Sequence, residues 1–213
     1  MCRGIRYRLP SRLAALALSA WLAATAAVAE QPGFVPLFNG RDLTGWHTLP
    51  GGTWEVQDGA IVGRSPQAEP RHGLLVSDVP YGDFTLRATF KVTRGNSGLY
   101  FRAEEVPGDV GVHGFQAEVD NSKSVGGLYE TGGRGWVTRP DAALVERIHE
   151  PGAWATLEIR AAGPDVTVLL NGSETARLRN DPGRRSGVIA LQLHGGMEME
   201  VAFKDIEIRV DAP

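Results

Sequence analysis

Beyond residue 30, the chain is dominated by short runs in which apolar and polar residues alternate. This two-residue period predicts strands that bury one face, and a helical period is nearly absent. The predicted strands are Trp54–Val56, Ala60–Val62, Gly73–Val76, Phe84–Phe90, Leu99–Phe101, Phe115–Val119, Gly127–Tyr129, Ala155–Arg160, Val166–Leu170, Thr175–Leu178, Val188–Leu193 and Val201–Val210.

The turns between these runs support the same fold class. Asp58-Gly59 and Asn171-Gly172 each separate two strand-like runs, and both pairs suit two-residue hairpin turns. The 27 glycines and 13 prolines provide turns at the spacing of a β-sandwich. The pattern predicts one all-β domain of antiparallel sheets, with residues 132–152 as a long irregular loop of the kind that carries function.

The run 115–120 has the most informative alternation. Its apolar side chains Phe, Ala and Val are predicted to face the core, while Gln116, Glu118 and Asp120 share the opposite face. An amide beside two carboxylates is typical of a site that binds or cleaves sugars. The alternative interpretation is a solvated strand face.

Two further runs add polar groups to this predicted face. Tyr100 and Arg102 alternate with apolar residues in the run 97–102, and Gln192 and His194 point the same way near the end of another strand. A histidine at a strand end can act as general base, general acid or metal ligand, although a lone histidine is more often structural.

The last group of candidates lies where the predicted loop begins. Tyr129 and Glu130 end a strand-like run, and Arg134 and Trp136 follow closely. These four side chains could close over a ligand, with Trp136 best suited to stack on a sugar ring. The alternative is that they form only a hairpin end.

The N-terminal segment predicts export. Four arginines precede an apolar run from Leu13 to Val28, and the small residues of 27–29 resemble a cleavage site. We therefore expect a signal peptide at 1–29, a domain at 30–213 and a periplasmic or secreted bacterial protein. An uncleaved membrane anchor is the alternative for the same apolar run.

Charge and cysteine usage narrow the function classes. Without the leader the chain has 18 basic and 25 acidic residues, a net charge of −7. An acidic balance argues against nucleic acid as a partner, and no later segment is apolar enough to span a membrane. The only cysteine, Cys2, lies in the leader, so the domain is expected to need no disulfide.

Common catalytic motifs are missing or incomplete. The sequence has no HExxH, no GxSxG and no phosphate-binding GxxxxGK. The sandwich β-glucanases use E-x-D-x-E, and here Glu118 and Asp120 are followed by Ser122 at the third position. Conventional retaining hydrolysis needs two carboxyl groups that flank the bond, so this match is incomplete.

Taken in order, segments across residues 33–206 resemble the 3-keto-disaccharide hydrolase domain family. They are Gly33–Trp46, Trp54–Gly59, Tyr81–Lys91, Asn96–Arg102, Gly114–Glu118, Gly127–Glu130, Trp154, Asn171-Gly172, Leu191–Gly195 and Phe203–Ile206. The chain departs from many members at 114–118, where it has Gly-x-Gln-x-Glu in place of Gly-x-Glu-x-Gln.

The resemblance implies a concanavalin A-like jelly-roll sandwich that cleaves 3-keto-glycosides. A C3 ketone acidifies the C2 proton, so elimination needs a base, a positive group near the C3 oxygen and a proton for the leaving group. We expect His194 or Glu118 as the base, Arg102 or a divalent cation as the positive group, and Glu130 as the proton donor. Glu118 and His194 are also the candidate ligands of that metal, and no organic cofactor is expected.

Two other functions stay open at this point. A lectin-like module on the same fold would bind carbohydrate without cleaving it, and a conventional β-glucanase is disfavoured by Ser122. If the enzyme acts on 3-keto sugars, a sugar 3-dehydrogenase is the expected functional partner, because it would make the substrate.

Overall fold

The structure is a computed structural model that describes Met1 and residues 33–210. The predicted signal peptide at 1–29 and both ends of the predicted domain therefore lie outside the described residues, and export stays a prediction. Within the described part of the chain, no helix is long and apolar enough to cross a membrane.

Two antiparallel sheets and one short helix, α1 (Ala142–Ile148), make up the fold. The eight-stranded sheet comprises β1 (Val35–Pro36), β3 (Thr53–Gln57), β4 (Ala60–Ser65), β6 (Phe84–Arg94), β11 (Ala155–Ala162), β12 (Asp165–Leu170), β13 (Ser173–Leu178) and β15 (Met199–Val210). The seven-stranded sheet comprises β2 (Trp46–Leu49), β5 (Gly73–Ser77), β7 (Ser97–Glu105), β8 (Val112–Val119), β9 (Leu128–Thr131), β10 (Gly135–Thr138) and β14 (Val188–Leu193).

The strand orders place distant parts of the chain side by side. The larger sheet runs β13-β12-β11-β6-β15-β4-β3, with β1 paired to β15, and the smaller runs β10-β9-β8-β7-β14-β5-β2. The late strands β15 and β14 thus lie in the interior of the two sheets, beside the central strands β6 and β7. The all-β sandwich expected from the sequence is confirmed.

Each of the twelve predicted strands exists, and both predicted hairpin turns join neighbouring strands. Asp58 and Asn171 adopt positive φ of 49° and 47°, and the glycines after them continue the left-handed turn. Sequence analysis missed β1, β2, β10 and α1. Residues 132–152 were predicted to be irregular, but they contain β10 and α1. These two elements escaped prediction because a four-residue strand and a two-turn helix are too short to show a period.

The core fills the space between the sheets, as the alternation predicts. In β6 the apolar side chains at every second position are buried, and they meet the inward side chains of β7, β8 and β14. Aromatic rings join the layers: Phe101 packs edge-on against Phe84, with centroids 6.2 Å apart, and stacks on Phe115.

The outer face of the seven-stranded sheet is also partly covered. Leu74 and Val76 of β5 belong to a second apolar cluster on that face. Residues 106–111 fold over it: the Asp109 carbonyl accepts a hydrogen bond from the His72 amide, and a Cβ at Gly111 would lie 2.7 Å from the Leu74 side chain. This segment therefore walls off one side of the face.

A β-bulge in β7 changes the direction of Arg102. Phe101 pairs with Phe115 and Glu104 with His113, so β7 has one residue more than β8 between these pairs. Arg102 adopts a positive φ of 47° there. The side chain therefore departs from the alternation that the sequence analysis assumed.

The redirected guanidinium ties the two sheets together. Arg102 is 1% exposed and donates to the carbonyls of Gly82, Gly163 and Arg184, and to the Asp83 carboxylate at 2.8 Å. Gly82 and Gly163 lie in turns beside strands of the other sheet. Arg102 is therefore a structural clamp.

We expect Arg102→Met to destabilise the fold by about 3 kcal/mol, because the apolar side chain leaves buried carbonyls without a donor. Urea unfolding followed by tryptophan fluorescence measures the loss. Arg160→Ala is the matched control, since Arg160 is exposed and, within residues 33–210, bonds to Glu158 alone. Equal stability of the two variants would contradict the structural role of Arg102.

Candidate functional site

A cavity of about 490 Å³ opens on the outer face of the seven-stranded sheet. It lies within the size range of small-molecule sites, and most of its lining is polar or aromatic. The lining residues are His72, Asn96, Tyr100, Val110, Gln116, Glu118, Tyr129, Thr131, Trp136, Gln192, His194 and Met197.

Strand alternation brings Glu118 into this cavity. Phe115, Ala117 and Val119 of β8 are buried in the core between the sheets, so Gln116 and Glu118 project from the opposite face. The facing that the sequence predicts for these two residues is confirmed.

The environment of Glu118 favours proton exchange near neutral pH. The side chain is 5% exposed, and burial raises its pKa to about 7, with a smaller contribution from repulsion by Asp120. Asn96 donates to one carboxylate oxygen, and the Gln116 amide donates to the other at 2.9 Å. Since an effective acid–base catalyst has a pKa near the working pH, Glu118 is suited to this chemistry.

A glycine makes room for this arrangement. Gly98 pairs with Glu118 in the β7–β8 ladder, and a Cβ at Gly98 would lie 2.5 Å from the side-chain carbonyl carbon of Gln116. Gln116 can thus lie flat over Gly98 and reach Glu118. The Asn96-Ser97-Gly98 sequence supplies both a donor to the carboxylate and the space beside it.

His194 lies directly after β14, and its contacts determine its tautomer. Nδ1 is 2.7 Å from the Gly195 carbonyl, which can only accept, so Nδ1 carries the proton and Nε2 is the basic nitrogen of the neutral ring. The His72 ring packs edge-on against it, with centroids 4.5 Å apart. His194 is therefore held with one nitrogen, Nε2, available for acid–base chemistry.

His72 is held in the opposite tautomer to that of His194. Its Nδ1 accepts a hydrogen bond from the Gly195 amide at 2.8 Å, which places the proton on Nε2. Burial, and then repulsion by His194, lowers the pKa of His72 to about 4. His72 is thus neutral at neutral pH.

A chain of hydroxyl and amide groups crosses the floor of the cavity. The Tyr100 hydroxyl is 2.8 Å from the Thr131 hydroxyl and accepts from the Gln192 amide at 3.2 Å. Burial raises the pKa of Tyr100, which keeps the phenol protonated. Gln192 Oε1 is buried and has no partner among the described residues, so it is free to accept from a ligand hydroxyl.

Aromatic rings form the wall contributed by β9 and β10. Tyr129 and Trp136 pack edge-on with centroids 5.4 Å apart, and the Arg139 guanidinium lies 3.9 Å from the Trp136 ring. The positive charge of Arg139 also favours the ionised form of Glu118. An indole beside polar groups is suited to pack against the C–H face of a sugar.

Glu130 and Arg134 lie apart from the cavity. Because Tyr129 and Thr131 face the cavity, Glu130 between them faces the other way, where Arg134 donates to it at 2.5 Å. Arg134 also donates to Asp181 at 2.5 Å. The geometry therefore corrects the proposed roles of Glu130 as proton donor and of Arg134 as a ligand contact.

Arg102 and Asp120 are likewise outside the cavity lining. The bulge directs Arg102 to the opposite sheet, as described above. Asp120 follows the end of β8 and accepts from the amide and hydroxyl of Ser122, at 3.0 and 2.5 Å. Asp120 therefore acts on the site only through its charge, which raises the pKa of Glu118.

The predicted metal ligands share the cavity, but the donor set is small. Glu118 and His194 both line it, whereas no group of three His, Cys, Asp or Glu side chains suited to hold an ion occurs in the described residues. His72 does not complete a set, because its Nδ1 is occupied by an amide. We therefore derive no chemical step through a metal.

Several lining residues of the cavity were not predicted from the sequence, chiefly Asn96, His72 and Thr131. Asn96 precedes β7, and the alternation of Tyr129 could have identified Thr131. His72 is separated from His194 by 122 positions. No sequence period indicates that β5 and β14 are neighbours, so only the strand order reveals this pair.

Comparisons with known proteins agree with this fold. The family model of the 3-keto-alpha-glucoside-1,2-lyase-like domain matches residues 33–209. No curated protein matches the chain.

Similar solved structures include both proposed enzymes and binding domains. A proposed glycosyl hydrolase from Parabacteroides distasonis is 20% identical, with a TM-score of 0.63 over 84% of this chain and 94% of its own. The carbohydrate-binding module CBM66 from Bacillus subtilis is 19% identical, with a TM-score of 0.62 over 78% and 96%. A Bacillus subtilis protein of unknown function with a galectin-like fold is 13% identical, with a TM-score of 0.62 over 83% and 94%. These similarities confirm the expected jelly-roll sandwich.

We expect the pKa of Glu118 to fall in Asp120→Asn and to rise in Asn96→Ala. The first change removes a like charge, and the second removes a hydrogen bond that favours the carboxylate. Carbon-13 NMR titration of the glutamate carboxyl groups measures both shifts, with Glu130→Gln used to assign a second buried signal. Unchanged midpoints in both variants would contradict the electrostatic description of Glu118.

Proposed function

Because the chain belongs to the 3-keto-alpha-glucoside-1,2-lyase-like domain family, we propose that this carbohydrate-related protein cleaves the glycosidic bond of 3-keto-glycosides. The observation that carries the proposal is Glu118, a buried carboxylate with a pKa of about 7 that faces a polar and aromatic cavity. A group of this kind can remove a carbon-bound proton that a neighbouring ketone has acidified.

The number of carboxylates that line the cavity favours elimination over conventional hydrolysis. Among the residues that line the cavity, Glu118 is the only carboxylate. Ordinary glycosidases need two carboxyl groups on either side of the scissile bond. A 3-keto substrate removes that requirement, since its own carbonyl stabilises the negative charge that develops.

The reaction then proceeds in balanced steps. The base takes the C2 proton, and the C–H electron pair forms the enolate of the C3 ketone. The enolate re-forms the ketone as the C1–O bond breaks, and the bond pair leaves with the aglycone oxygen, which is protonated by an acid. Addition of water across C1 and C2 regenerates a 3-keto sugar, and release before that addition gives a lyase product.

The roles of base and acid fall to Glu118 and His194. Gly98 pairs with Glu118, and on the other side of β7 the β14 ladder pairs Leu191 with Leu99, the residues next to Gln192 and Gly98. Two strand spacings separate the backbones of Glu118 and Gln192 by roughly 10 Å, and His194 follows two residues later. A sugar ring above the glycine can therefore meet the carboxylate on one side and the imidazole on the other.

Arg139 is the candidate for the positive group near the C3 oxygen, and it borders the Trp136 wall without being one of the lining residues. Arg102, which the sequence suggested, is committed to backbone carbonyls at the opposite sheet. Arg139 lies against Trp136 of the cavity wall, and its charge acts on Glu118. A guanidinium at this position can stabilise a developing enolate oxygen.

A lectin-like binding module is the second candidate. It is favoured by the structural similarity to CBM66 and by the Trp136–Tyr129 wall. Binding without cleavage would need neither a single basic nitrogen on His194 nor a pKa near 7 on Glu118. A conventional β-glucanase is disfavoured, because Asp120 lies outside the cavity and bonds to Ser122.

The proposed activity also implies a supply of substrate. A 3-keto-glycoside arises by oxidation of the C3 hydroxyl, so a sugar 3-dehydrogenase stays the predicted functional partner. Location in the periplasm or outside the cell likewise stays a prediction of the segment 1–29.

We expect the purified domain to release sugar from a 3-keto-disaccharide and not from its unoxidised parent. Glu118→Gln and His194→Ala should each lower turnover by about a hundredfold or more, because each removes a proton-transfer group. The matched control is Glu130→Gln, a carboxylate on the same pair of strands that faces away from the cavity. Chromatography of the released sugars measures the rates.

Near-normal turnover in folded Glu118→Gln would remove that residue from the mechanism. Reversible binding of the unoxidised sugar, with no cleavage of either substrate, would favour the lectin-like module. Loss of activity in Glu130→Gln, with activity kept in Glu118→Gln, would reverse the assignment made from the strand facing.

The predicted metal is tested separately. It stays a prediction, and unchanged turnover after dialysis against EDTA would contradict it. Elemental analysis of the protein before and after dialysis is the control for removal. A loss of activity that added Mg²⁺, Ca²⁺ or Zn²⁺ restores would instead establish the metal predicted at Glu118 and His194.

A further inference from the structure

A second groove, of about 420 Å³, crosses the outer face of the eight-stranded sheet. Its floor is made by three small side chains, Ala60, Val62 and Ala202. The core lies between this face and the cavity of the other sheet. The two sites are therefore on opposite sides of the sandwich.

Strand register explains why a groove forms here. Ala202 of β15 pairs with Val62 on one side and with Lys91 of β6 on the other, so small side chains occupy the middle of a row across three strands. Long side chains border the row at Lys91 and at Arg64. A sheet face covered throughout by long polar side chains would have no such groove.

An exposed tryptophan stands at one end of the groove. Trp154 precedes β11 and keeps 43% of its surface exposed, although large aromatic residues usually bury most of theirs. The Lys204 ammonium lies 4.8 Å from its ring centroid. An indole that is held in place and open to solvent is a typical platform for a sugar ring.

The charges at the two ends of the groove differ. At the far end, Arg64 is neutralised by Glu55 at 2.5 Å and by Glu200 at 3.8 Å. At the Trp154 end, Lys91 makes no ion pair or hydrogen bond within residues 33–210, and the carboxylate nearest to Lys204, that of Asp205, is 3.9 Å away. Two weakly paired ammonium groups thus lie near the indole. The groove lining also includes the carboxylates of Asp58 and Glu200, which the three cations Arg64, Lys91 and Lys204 outnumber.

We propose that this groove is a carbohydrate-binding site for an acidic oligosaccharide, one whose sugar rings carry carboxylates. The Trp154 ring and the alanine and valine floor pack against the C–H face of the sugars. Lys91 and Lys204 pair with the carboxylates, and polar groups such as Gln57 at the rim bond to hydroxyls. The groove volume of about 420 Å³ lies within the size range of small-ligand sites.

This site is independent of the proposed enzymatic function. It shares no residue with the cavity around Glu118. The groove would hold an acidic glycan whether the other face cleaves sugars or only binds them. Its role is to retain the protein on acidic polysaccharide while the opposite cavity stays open.

The test is calorimetric titration of the full domain with oligogalacturonide and, in parallel, with a neutral cello-oligosaccharide of equal length. We expect Trp154→Ala to weaken oligogalacturonide binding about tenfold or more, equivalent to about 1.4 kcal/mol. Lys91→Gln should weaken it and reduce its dependence on salt. Val210→Ala, which changes another exposed apolar residue of the same sheet, and His194→Ala, in the other cavity, should leave it unchanged.

Loss of binding in Trp154→Ala and Lys91→Gln, with both controls unchanged, would support the groove. Three results would overturn it: no binding of oligogalacturonide, equal binding of the neutral oligosaccharide, or loss of binding in His194→Ala with Trp154→Ala unaffected. Because His194 belongs only to the cavity, a failure of the proposed function does not alter these outcomes.

Discussion

The two-residue period of the β-strand is the constraint on which both the core and the candidate site depend. In β8 it places Phe115, Ala117 and Val119 between the sheets, and Gln116 and Glu118 must then face outward. A shift of one residue would exchange the two sets and bury the carboxylate among aromatic rings. The burial of the core side chains therefore also holds the catalytic candidates in register.

The outer face of this sheet is suitable for chemistry because part of it is shielded from water. Segment 106–111 and the small apolar cluster around Leu74 cover one side, and Trp136 with Tyr129 walls the other. Between them Glu118 loses hydration, which raises its pKa to about 7. The packing that stabilises the outer face thus also sets the acid–base property of the site.

The two outer faces of the sandwich differ in whether their charged side chains have partners within the protein. On the seven-stranded sheet, the carboxylate of the cavity is held by neighbours, since Glu118 accepts hydrogen bonds from Asn96 and Gln116. On the eight-stranded sheet, Lys91 lines a groove with an exposed indole and has no ion pair within residues 33–210. The first arrangement favours proton transfer, and the second favours attraction of an external anion.

Local pattern alone determined the strands, the hairpin turns at Asp58 and Asn171, and the outward facing of Gln116 and Glu118. These features depend on the period and turn chemistry of a few consecutive residues. The short elements β10 and α1 escaped prediction because four to seven residues contain too few repeats to show a period. Membership of the family was also recognisable from residues in order along the chain.

Only the tertiary structure decided which polar residues meet. The bulge in β7 turns Arg102 away from the cavity, and the pairing of β5 with β14 brings His72 to His194. Neither follows from alternation, because a bulge breaks the period at one residue and strand order joins segments more than a hundred residues apart. The pKa of Glu118 is likewise a property of the assembled sheet, since burial in the folded protein is its main cause.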